Sequence, residues 1–242
     1  MKAIDIKTLT KAYGSKVAVD NLTLSIDEGE LFALLGVNGA GKTTVIKILS
    51  CLTQPTKGEA FLLGNSIIKE PSKVKEVIGV SPQETAIAHN LTVRENLELM
   101  AGLHGMNSKE SREKASEMIE VFSLENIEKQ KSKTLSGGWQ RRLSIAMALI
   151  SSPKILFLDE PTLGLDVLAR QELWSLIEGL KGKVTIILTT HYLEEAEALS
   201  DRIGIMKDGK LIALGTAEEL IALAEGKNFQ DSFVKLATGG KE

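Results

Sequence analysis

A glycine-rich loop between an apolar segment and a helical segment is the clearest chemical feature of this sequence. Residues Gly36 to Thr43, Gly-Val-Asn-Gly-Ala-Gly-Lys-Thr, fit the pattern G-x-x-x-x-G-K-[ST] in full. Glycines let successive backbone N–H groups turn toward an anion, and the following helix presents its positive end to the same charge. Lys42 can reach the β- and γ-phosphates of a nucleotide, and the Thr43 hydroxyl can bind Mg²⁺. The loop therefore predicts a site for ATP and Mg²⁺.

Two adjacent acids follow a second apolar segment. Ile155 to Leu158 is typical of a buried strand, and Asp159 and Glu160 come directly after it. Side chains alternate in direction along a strand, so neighbouring acids can serve different tasks. We expect Asp159 to hold the hydrated Mg²⁺ and Glu160 to accept a proton from the attacking water. In a chain that carries the phosphate loop, these acids predict hydrolysis of the nucleotide.

A second glycine-rich helix start lies between these two motifs. The residues from Leu135 to Gly138, Leu-Ser-Gly-Gly, precede a helix whose apolar face begins with Leu143, Ala146, Met147 and Ile150. The unpaired N–H groups at such a helix start can bind an anion. The chain thus carries two candidate anion sites that are too far apart in sequence to form one loop.

These motifs, in this order, resemble the ATP-binding subunit of an ABC transporter, whose signature is usually Leu-Ser-Gly-Gly-Gln. The resemblance extends from Tyr13 to about Leu214. It implies that Tyr13 stacks on adenine, that Gln83 contacts Mg²⁺ and senses the γ-phosphate, and that His191 contacts the γ-phosphate. It also implies that two such domains communicate through the loop from Pro161 to Asp166.

The expected site follows from the motifs and the resemblance together. The expected catalytic residues are Glu160, His191, Gln83 and Lys42. The expected nucleotide-binding residues are Tyr13, Gly36, Val37, Asn38, Gly39, Ala40, Gly41, Lys42, Thr43, Thr44, Ser136, Gly137, Gly138 and Asp166. The expected Mg²⁺ ligands are Thr43, Gln83 and Asp159.

Three positions depart from the usual family pattern. Trp139 replaces the signature glutamine, so any side-chain contact from that glutamine is absent. Leu163 replaces a common serine, which puts a hydroxyl contact across the interface in doubt. Val37 replaces a common proline, and this should matter little because backbone N–H groups bind the phosphates.

The resemblance also implies partners. Two copies, or this chain and a paralogous subunit, would pack head to tail, with the phosphate loop of one and Ser136–Gly138 of the other enclosing the same ATP. Hydrolysis would then drive transport through a separate transmembrane permease subunit. The chain would be peripheral, at the cytoplasmic face of the cell membrane, and soluble when isolated. Thr92–Leu97, Trp139–Leu143 and the short C-terminal tail resemble exporter subunits of the drug, antibiotic and lipid-export type.

Two other functions stay open on the residues alone. A soluble ABC-type ATPase acting on ribosomes or nucleic acid usually carries two such units or a long coiled-coil insertion, and this chain shows neither. A non-hydrolytic regulatory ATP-binding module would not need Glu160 and His191, which are both present. We therefore favour the transporter subunit.

The composition is that of an ordinary globular protein. Of the 242 residues, 43% are hydrophobic and 25% are charged, and the net charge of −3 leaves no basic surplus, so we expect no nucleic-acid partner. The one cysteine allows no intrachain disulfide. The first residues lack the apolar stretch of a signal peptide, and no apolar run approaches a membrane span. We expect a chain that does not cross a bilayer on its own.

Apolar strands that alternate with helical segments predict an α/β fold. The resemblance implies a P-loop NTPase core with a mixed sheet, an antiparallel β subdomain and a helical signature subdomain. We expect one ATP-binding domain over residues 1–242, divided into a RecA-like core with the β subdomain (about 1–83 and 152–216), the helical subdomain (about 84–151) and a short C-terminal helical tail (about 217–242). Further local expectations are a strand at Val77–Val80, helix caps at Thr92, Asp166 and Thr216, and a hairpin turn at Asp208-Gly209.

Overall fold

The computed structural model describes residues 1–238, and a six-stranded mixed sheet lies at its centre. Its strands, numbered in chain order, are in space β10 (Lys210–Gly215), β9 (Arg202–Lys207), β3 (Leu31–Leu35), β8 (Thr185–Thr190), β7 (Ile155–Asp159) and β6 (Ile78–Ser81). Neighbouring strands are parallel except for the antiparallel pair β9–β10. Every residue of β3, β7 and β8 is buried, as expected for parallel strands covered on both faces.

A second, four-stranded sheet is antiparallel. Its spatial order is β2 (Lys16–Asp27), β1 (Lys2–Tyr13), β4 (Lys57–Leu62) and β5 (Asn65–Ser66). Apolar side chains of this sheet pack in one cluster with Phe32 and Leu34 of β3 and with the helix α1 (Lys42–Leu49). The two sheets therefore enclose α1, the helix that follows the phosphate loop.

The helices fill the two faces of the central sheet. They are α2 (Pro71–Val77), α3 (Val93–Leu103), α4 (Ser108–Val121), α5 (Gly137–Leu149), α6 (Val167–Glu178), α7 (Leu193–Leu199), α8 (Ala217–Leu223) and α9 (Phe229–Thr238). Helices α3 to α6 share one apolar cluster with β7 and β8. Helices α7 to α9 pack around Phe229 against β3 and β9. They lie on the same face of the sheet as α3 to α6, because Leu31 of the first cluster and Ala33 of this one point to the same side of β3.

The mixed α/β architecture with its antiparallel second sheet confirms the predicted fold class. The capping boxes that begin α3 at Thr92 and α8 at Thr216 are both present, and Asp166 caps α6. The strand predicted from Val77 was wrong at its first residue, since Val77 ends α2 and β6 begins at Ile78. Helices α2 and α7 were not predicted.

The boundaries of the predicted subdomains stay a prediction, and residues 239–242 of the predicted C-terminal tail lie outside the described residues. Within residues 1–238, none of the helices combines the length and the apolar character that crossing a bilayer requires.

The order of the strands in the central sheet determines which residues lie together at their carboxyl ends. The carboxyl ends of β3, β8, β7 and β6 lie side by side because these four strands are parallel neighbours. The phosphate loop, His191, Glu160 and Gln83 each follow one of these ends, and Asp159 is the last residue of β7. In open α/β sheets, ligands bind beyond the carboxyl ends of the strands.

Candidate active site

The loop between β3 and α1 is held tightly by the strands around it. Gly39 and Gly41 have positive φ angles of 84° and 107°, which residues with a side chain rarely adopt. A Cβ atom at Gly41 would overlap the carbonyl oxygen of Ala18 on β2. The first helical hydrogen bond of α1 runs from the Val45 N–H to the Gly41 carbonyl at 3.0 Å. The amides of residues 42–44 precede that bond, so they are available to an anion in the loop.

Lys42 brings a buried positive charge to this loop. Its side chain is only 5% exposed. The ammonium donates to the Gly36 carbonyl at 2.6 Å and lies 3.2 Å from the Glu160 carboxylate. The loop thus combines unpaired amides with a cation, and this arrangement fits a polyphosphate.

Asp159 is buried at the end of β7 and faces the start of α1. One of its carboxylate oxygens, Oδ1, accepts a hydrogen bond from the Thr189 hydroxyl at 2.5 Å. The same oxygen accepts from the Thr43 hydroxyl at 3.2 Å. Two side-chain oxygens, one from each predicted Mg²⁺ ligand, therefore lie together beside the phosphate loop.

Glu160 faces a different set of partners. Its backbone lies in the left-handed region at a φ of 49°, where its N–H donates to both the carbonyl and the hydroxyl oxygen of Thr189 at 3.1 Å. Its carboxylate contacts His191 Nδ1 at 2.6 Å through Oε2 and Lys42 through Oε1. The two adjacent acids thus have separate partners. Asp159 contacts Thr43, and Glu160 lies between Lys42 and His191.

A pocket of about 400 Å³ collects most of the predicted residues. Its lining comprises Tyr13, Lys16, Ala18, Asn38, Gly39, Ala40, Gly41, Lys42, Thr43, Thr44, Gln83, Glu160, Leu163 and His191. Gly36, Val37 and Asp159 lie next to it, the first two as carbonyl acceptors of Lys42 and the third as acceptor of Thr43. Tyr13 is half exposed, with the Lys11 ammonium 4.9 Å from the centre of its ring.

Besides Gly36 and Val37, four predicted nucleotide-binding residues do not line this pocket: Ser136, Gly137, Gly138 and Asp166. Ser136 is exposed at the start of α5. The Asp166 carboxylate accepts from the Ala169 N–H at 2.9 Å and caps α6. These residues lie together, since a Cβ atom on Gly138 would touch Ala169.

Sequence reasoning missed Lys16, Ala18 and Thr189. Lys16 and Ala18 line the pocket from β2, a strand far from the loop in sequence, and no local pattern marks them. Thr189 binds both Asp159 and Glu160, and its position beside Thr190 at the end of an apolar strand was the available signal. We had expected only His191 to act from this strand end.

Comparison with known proteins agrees with this geometry. Residues 19–163 match the family model described as ABC transporter. The chain belongs to the ABC transporter family. It is 42% identical over 225 residues to the daunorubicin resistance ATP-binding protein DrrA3 of Streptomyces coeruleorubidus, covering 93% of this chain and 71% of that protein.

Solved structures extend the match to the fold. A structure described as the ATP-binding subunit of an ABC transporter has a TM-score of 0.85 and 29% identity, covering 97% of this chain and 99% of that one. A dimeric cassette in a post-hydrolysis state bound to ADP and Pi has a TM-score of 0.80 and 31% identity, covering 88% and 98%. The chain is an ATP-binding and ATP-hydrolysing ABC transporter subunit, as predicted, and the soluble and regulatory alternatives are not supported.

Proposed function

We propose that this subunit hydrolyses ATP with Glu160 as the base, and that it works as one half of a head-to-tail dimer that drives export through a membrane-spanning partner. The observation that carries the proposal is the cluster in which Glu160 lies between the Lys42 ammonium and the His191 ring. The Glu160 carboxylate is held between the Lys42 ammonium, which faces the phosphates, and the His191 ring. It is therefore positioned to act next to the terminal phosphate.

The chain's own residues divide the chemistry among them. Lys42 and the amides of the loop hold the phosphates. Glu160 accepts the proton of the attacking water at Oε1 or Oε2, and His191 orients the carboxylate through its 2.6 Å contact. The left-handed backbone of Glu160, fixed by two hydrogen bonds to Thr189, sets the direction from which the carboxylate approaches.

Mg²⁺ fits the oxygen pair formed by Thr43 and Asp159. This ion usually binds one or two protein oxygens together with substrate phosphates and water. The two oxygens are 3.2 Å apart, and within residues 1–238 no cluster of three or more His, Cys, Asp or Glu side chains offers a complete protein site. When bound, the ion neutralises charge on the β- and γ-phosphates. Gln83, which also lines the pocket, is the third ligand that we propose.

Exposed residues at the start of α5 and around Asp166 support the second copy. Ser136 makes no side-chain bond to its own helix, so its hydroxyl and the free amides of α5 are available to a partner's phosphate. Leu163 lines the pocket at 37% exposure, and Val167 and Leu168, just beyond Asp166, are 59% and 71% exposed. Apolar side chains beside a polar site are expected where another protein surface covers them.

The second partner that we propose is a membrane-spanning subunit, which this chain would contact at the cytoplasmic face of the membrane through the surface near Gln83. A cavity of about 110 Å³ lies beside Pro82, next to Gln83, and is lined also by Met100 and His104 of the α3 region. Leu103, between them in sequence, is 73% exposed. The relative from Streptomyces is named for drug resistance, and we infer that this chain likewise powers outward movement of a drug-like or lipid-like compound.

A mixing experiment tests the shared sites. Ser136→Arg should leave ATP binding by the monomer intact and block the ATP-dependent dimer, because the bulky side chain prevents closure. Lys42→Ala removes the phosphate cation from the other half of the site. In a mixed dimer the bulky side chain faces only the Lys42→Ala site, where ATP is held weakly and leaves room for it. The other site is intact, so the mixture should regain ATPase activity at one composite site, although each variant alone is inactive.

Size-exclusion chromatography with and without ATP provides the control for closure. Loss of ATP affinity in monomeric Ser136→Arg would contradict the head-to-tail arrangement, because Ser136 would then belong to its own chain's site. A mixture that stays as inactive as its components while both fold normally would contradict it as well.

A further inference from the structure

Helix α5 is fastened along β6 and the loop that follows it. The Arg141 guanidinium donates from Nη1 to the Pro82 carbonyl and from Nη2 to the Gln83 carbonyl, each at 2.6 Å. One turn further along the helix, the Ser144 hydroxyl lies 2.8 Å from the Ser81 hydroxyl. Residues one turn apart on α5 thus contact neighbouring positions of the chain at the end of β6.

The same contact line continues to the far end of the helix. A Cβ atom on Gly79 would overlap the Ala148 carbonyl, so only glycine allows the helix to approach β6 this closely. Residues 141, 144 and 148 recur at the spacing of one helix face. The helix and β6 therefore form one packed unit, and Arg141 extends that unit into the loop.

Arg141 is an unusual residue for this position. Arg141 is only 5% exposed, and burial lowers the pKa of its guanidinium below the ordinary value. Its terminal nitrogens are bound to backbone carbonyls of two successive residues. A buried guanidinium gives charge-assisted hydrogen bonds, and its planar fork fixes both acceptors in one geometry. Among the standard side chains, only arginine offers separate donor nitrogens in one rigid plane to two neighbouring carbonyls.

The loop is anchored at its far end and at Arg141. From Pro82 to His89 the chain forms neither helix nor strand, Ile87 is buried, and Ala88 exchanges two hydrogen bonds with Asn96. Between these anchors the Gln83 side chain is exposed at the pocket. The main chain of Gln83 is thus positioned by Arg141, while its side chain is free to turn toward the nucleotide.

We propose that Arg141 is a positioning residue that ties Gln83 to α5. Ser136 lies five residues before Arg141, about 7.5 Å along the same helix. When a second copy's nucleotide engages Ser136, any displacement of α5 is passed to Gln83 and changes its distance from Thr43 and Asp159. The proposal rests on the proposed dimer and adds a link between its two ATP sites within one chain.

A double-mutant cycle separates this role from general support of the fold. Arg141→Lys keeps the charge but loses the fork, and we expect about a tenfold loss of kcat, with the Kd for ATP without Mg²⁺ unchanged. Gln83→Ala should cause a similar loss. Because Arg141 acts through Gln83, the double variant should be within about twofold of Gln83→Ala alone.

The matched control is Arg142→Lys. Arg142 is the next residue on α5, pairs with Glu172 and stacks on Trp139. Among the described residues, the hydrogen bonds to the Pro82 and Gln83 carbonyls come from Arg141 and not from Arg142. We expect its kcat to stay within about twofold of wild type. If Arg141→Lys does not fold, Arg141→Gln, which keeps a single donor nitrogen, takes its place in the cycle.

Hydrogen exchange gives a readout that does not depend on turnover. In nucleotide-free protein, amides of residues 83–86 should exchange about tenfold faster in Arg141→Lys, while the Ala88 amide, which donates to Asn96, and those of α5 keep their exchange rates. Losses of kcat that multiply in the double variant, or unchanged exchange in the loop, would overturn the proposal. Wild-type protein that fails to bind ATP would instead overturn the proposed function.

Discussion

Replacing Glu195 by glutamine should change how the stability of the protein depends on pH. Glu195 lies on α7, four residues after His191, and is fully buried. Its Oε1 atom accepts from the Thr162 hydroxyl at 2.8 Å and from the Trp174 indole at 3.1 Å. Its Oε2 atom has no hydrogen-bond partner among the described residues. Burial raises the pKa of this carboxyl above its ordinary value of 4.5, and the nearby charge of Glu160 adds to the increase.

The sign of the effect follows from where the proton is held. Above pH 4.5 the unfolded chain releases the Glu195 proton, while the folded protein still holds it, so the free energy of unfolding falls as pH rises toward the folded pKa. The slope in that window is at most about 1.4 kcal/mol per pH unit. Glutamine does not titrate, but its amide places two donors where Oε2 now lies, at a cost of about 1–3 kcal/mol.

The Glu195 titration and the unpaired donors of the glutamine together predict how the free energies of unfolding of wild type and Glu195→Gln compare. The difference between them should become smaller as pH rises. Near the lower end of the window, Glu195→Gln should be less stable than wild type by about 1–3 kcal/mol. The deficit should shrink with rising pH, by up to about 1.4 kcal/mol per unit, and can reverse in sign. Urea unfolding followed by tryptophan fluorescence, at several pH values from about 5 to 9, measures the difference directly.

Glu197→Gln is the matched control, because Glu197 is exposed on the same helix. Its difference from wild type should be small at every pH. A Glu195→Gln deficit that stays constant across the whole range would refute the reasoning, because it would mean that the buried carboxyl titrates as it does in the unfolded chain.

Two further predictions concern the nucleotide site. Lys42→Ala should weaken ATP binding by more than the ~0–1 kcal/mol of an exposed ion pair, because the ammonium is buried; an unchanged Kd in a calorimetric titration would contradict the placement of the phosphates. In a Trp174→Phe, Glu160→Gln protein, Trp139 is the only tryptophan, half-buried against Arg142 at 4.6 Å. Its emission should shift to the blue with Mg²⁺ and ATP, and more so at higher protein concentration; a spectrum that ignores ATP while the protein dimerises would place Trp139 away from the interface.

The features that were predictable from sequence are those with local signals. The phosphate loop needs glycines at set positions, and Gly39 and Gly41 do adopt positive φ angles. Helix caps at Thr92 and Thr216 and the turn at Asp208-Gly209 depend on residues only a few positions apart, and all were confirmed.

Helices α2 and α7 escaped prediction because their signals are not local. Helix α7 spans only Leu193–Leu199 and carries three glutamates, so its sequence gives little apolar periodicity. It is stabilised where Ala196 and Leu199 meet apolar clusters built from distant strands and helices. Tertiary packing decides such short elements, since isolated helices of this length are marginal in water.

The partners of buried polar residues were also beyond sequence reasoning. Arg141 and Glu195 lie in segments that a pattern describes only as helical, and their acceptors and donors come from residues 21 to 59 positions away. The insertion of β8 between β3 and β7, which brings Thr189 to both acids, is likewise a property of the sheet order. Such contacts follow from the whole topology.

The central claim is that Glu160 is the base of ATP hydrolysis, and Glu160→Gln tests it most directly. The amide removes a negative charge 3.2 Å from Lys42, so ATP binding should hold or tighten. Turnover should fall by ~10²–10⁴-fold, or roughly 3–5 kcal/mol of barrier. Glu194→Gln, an exposed neighbour of the site, serves as the control and should keep wild-type turnover. Purified Glu160→Gln that binds ATP and hydrolyses it within about threefold of wild type would contradict the account.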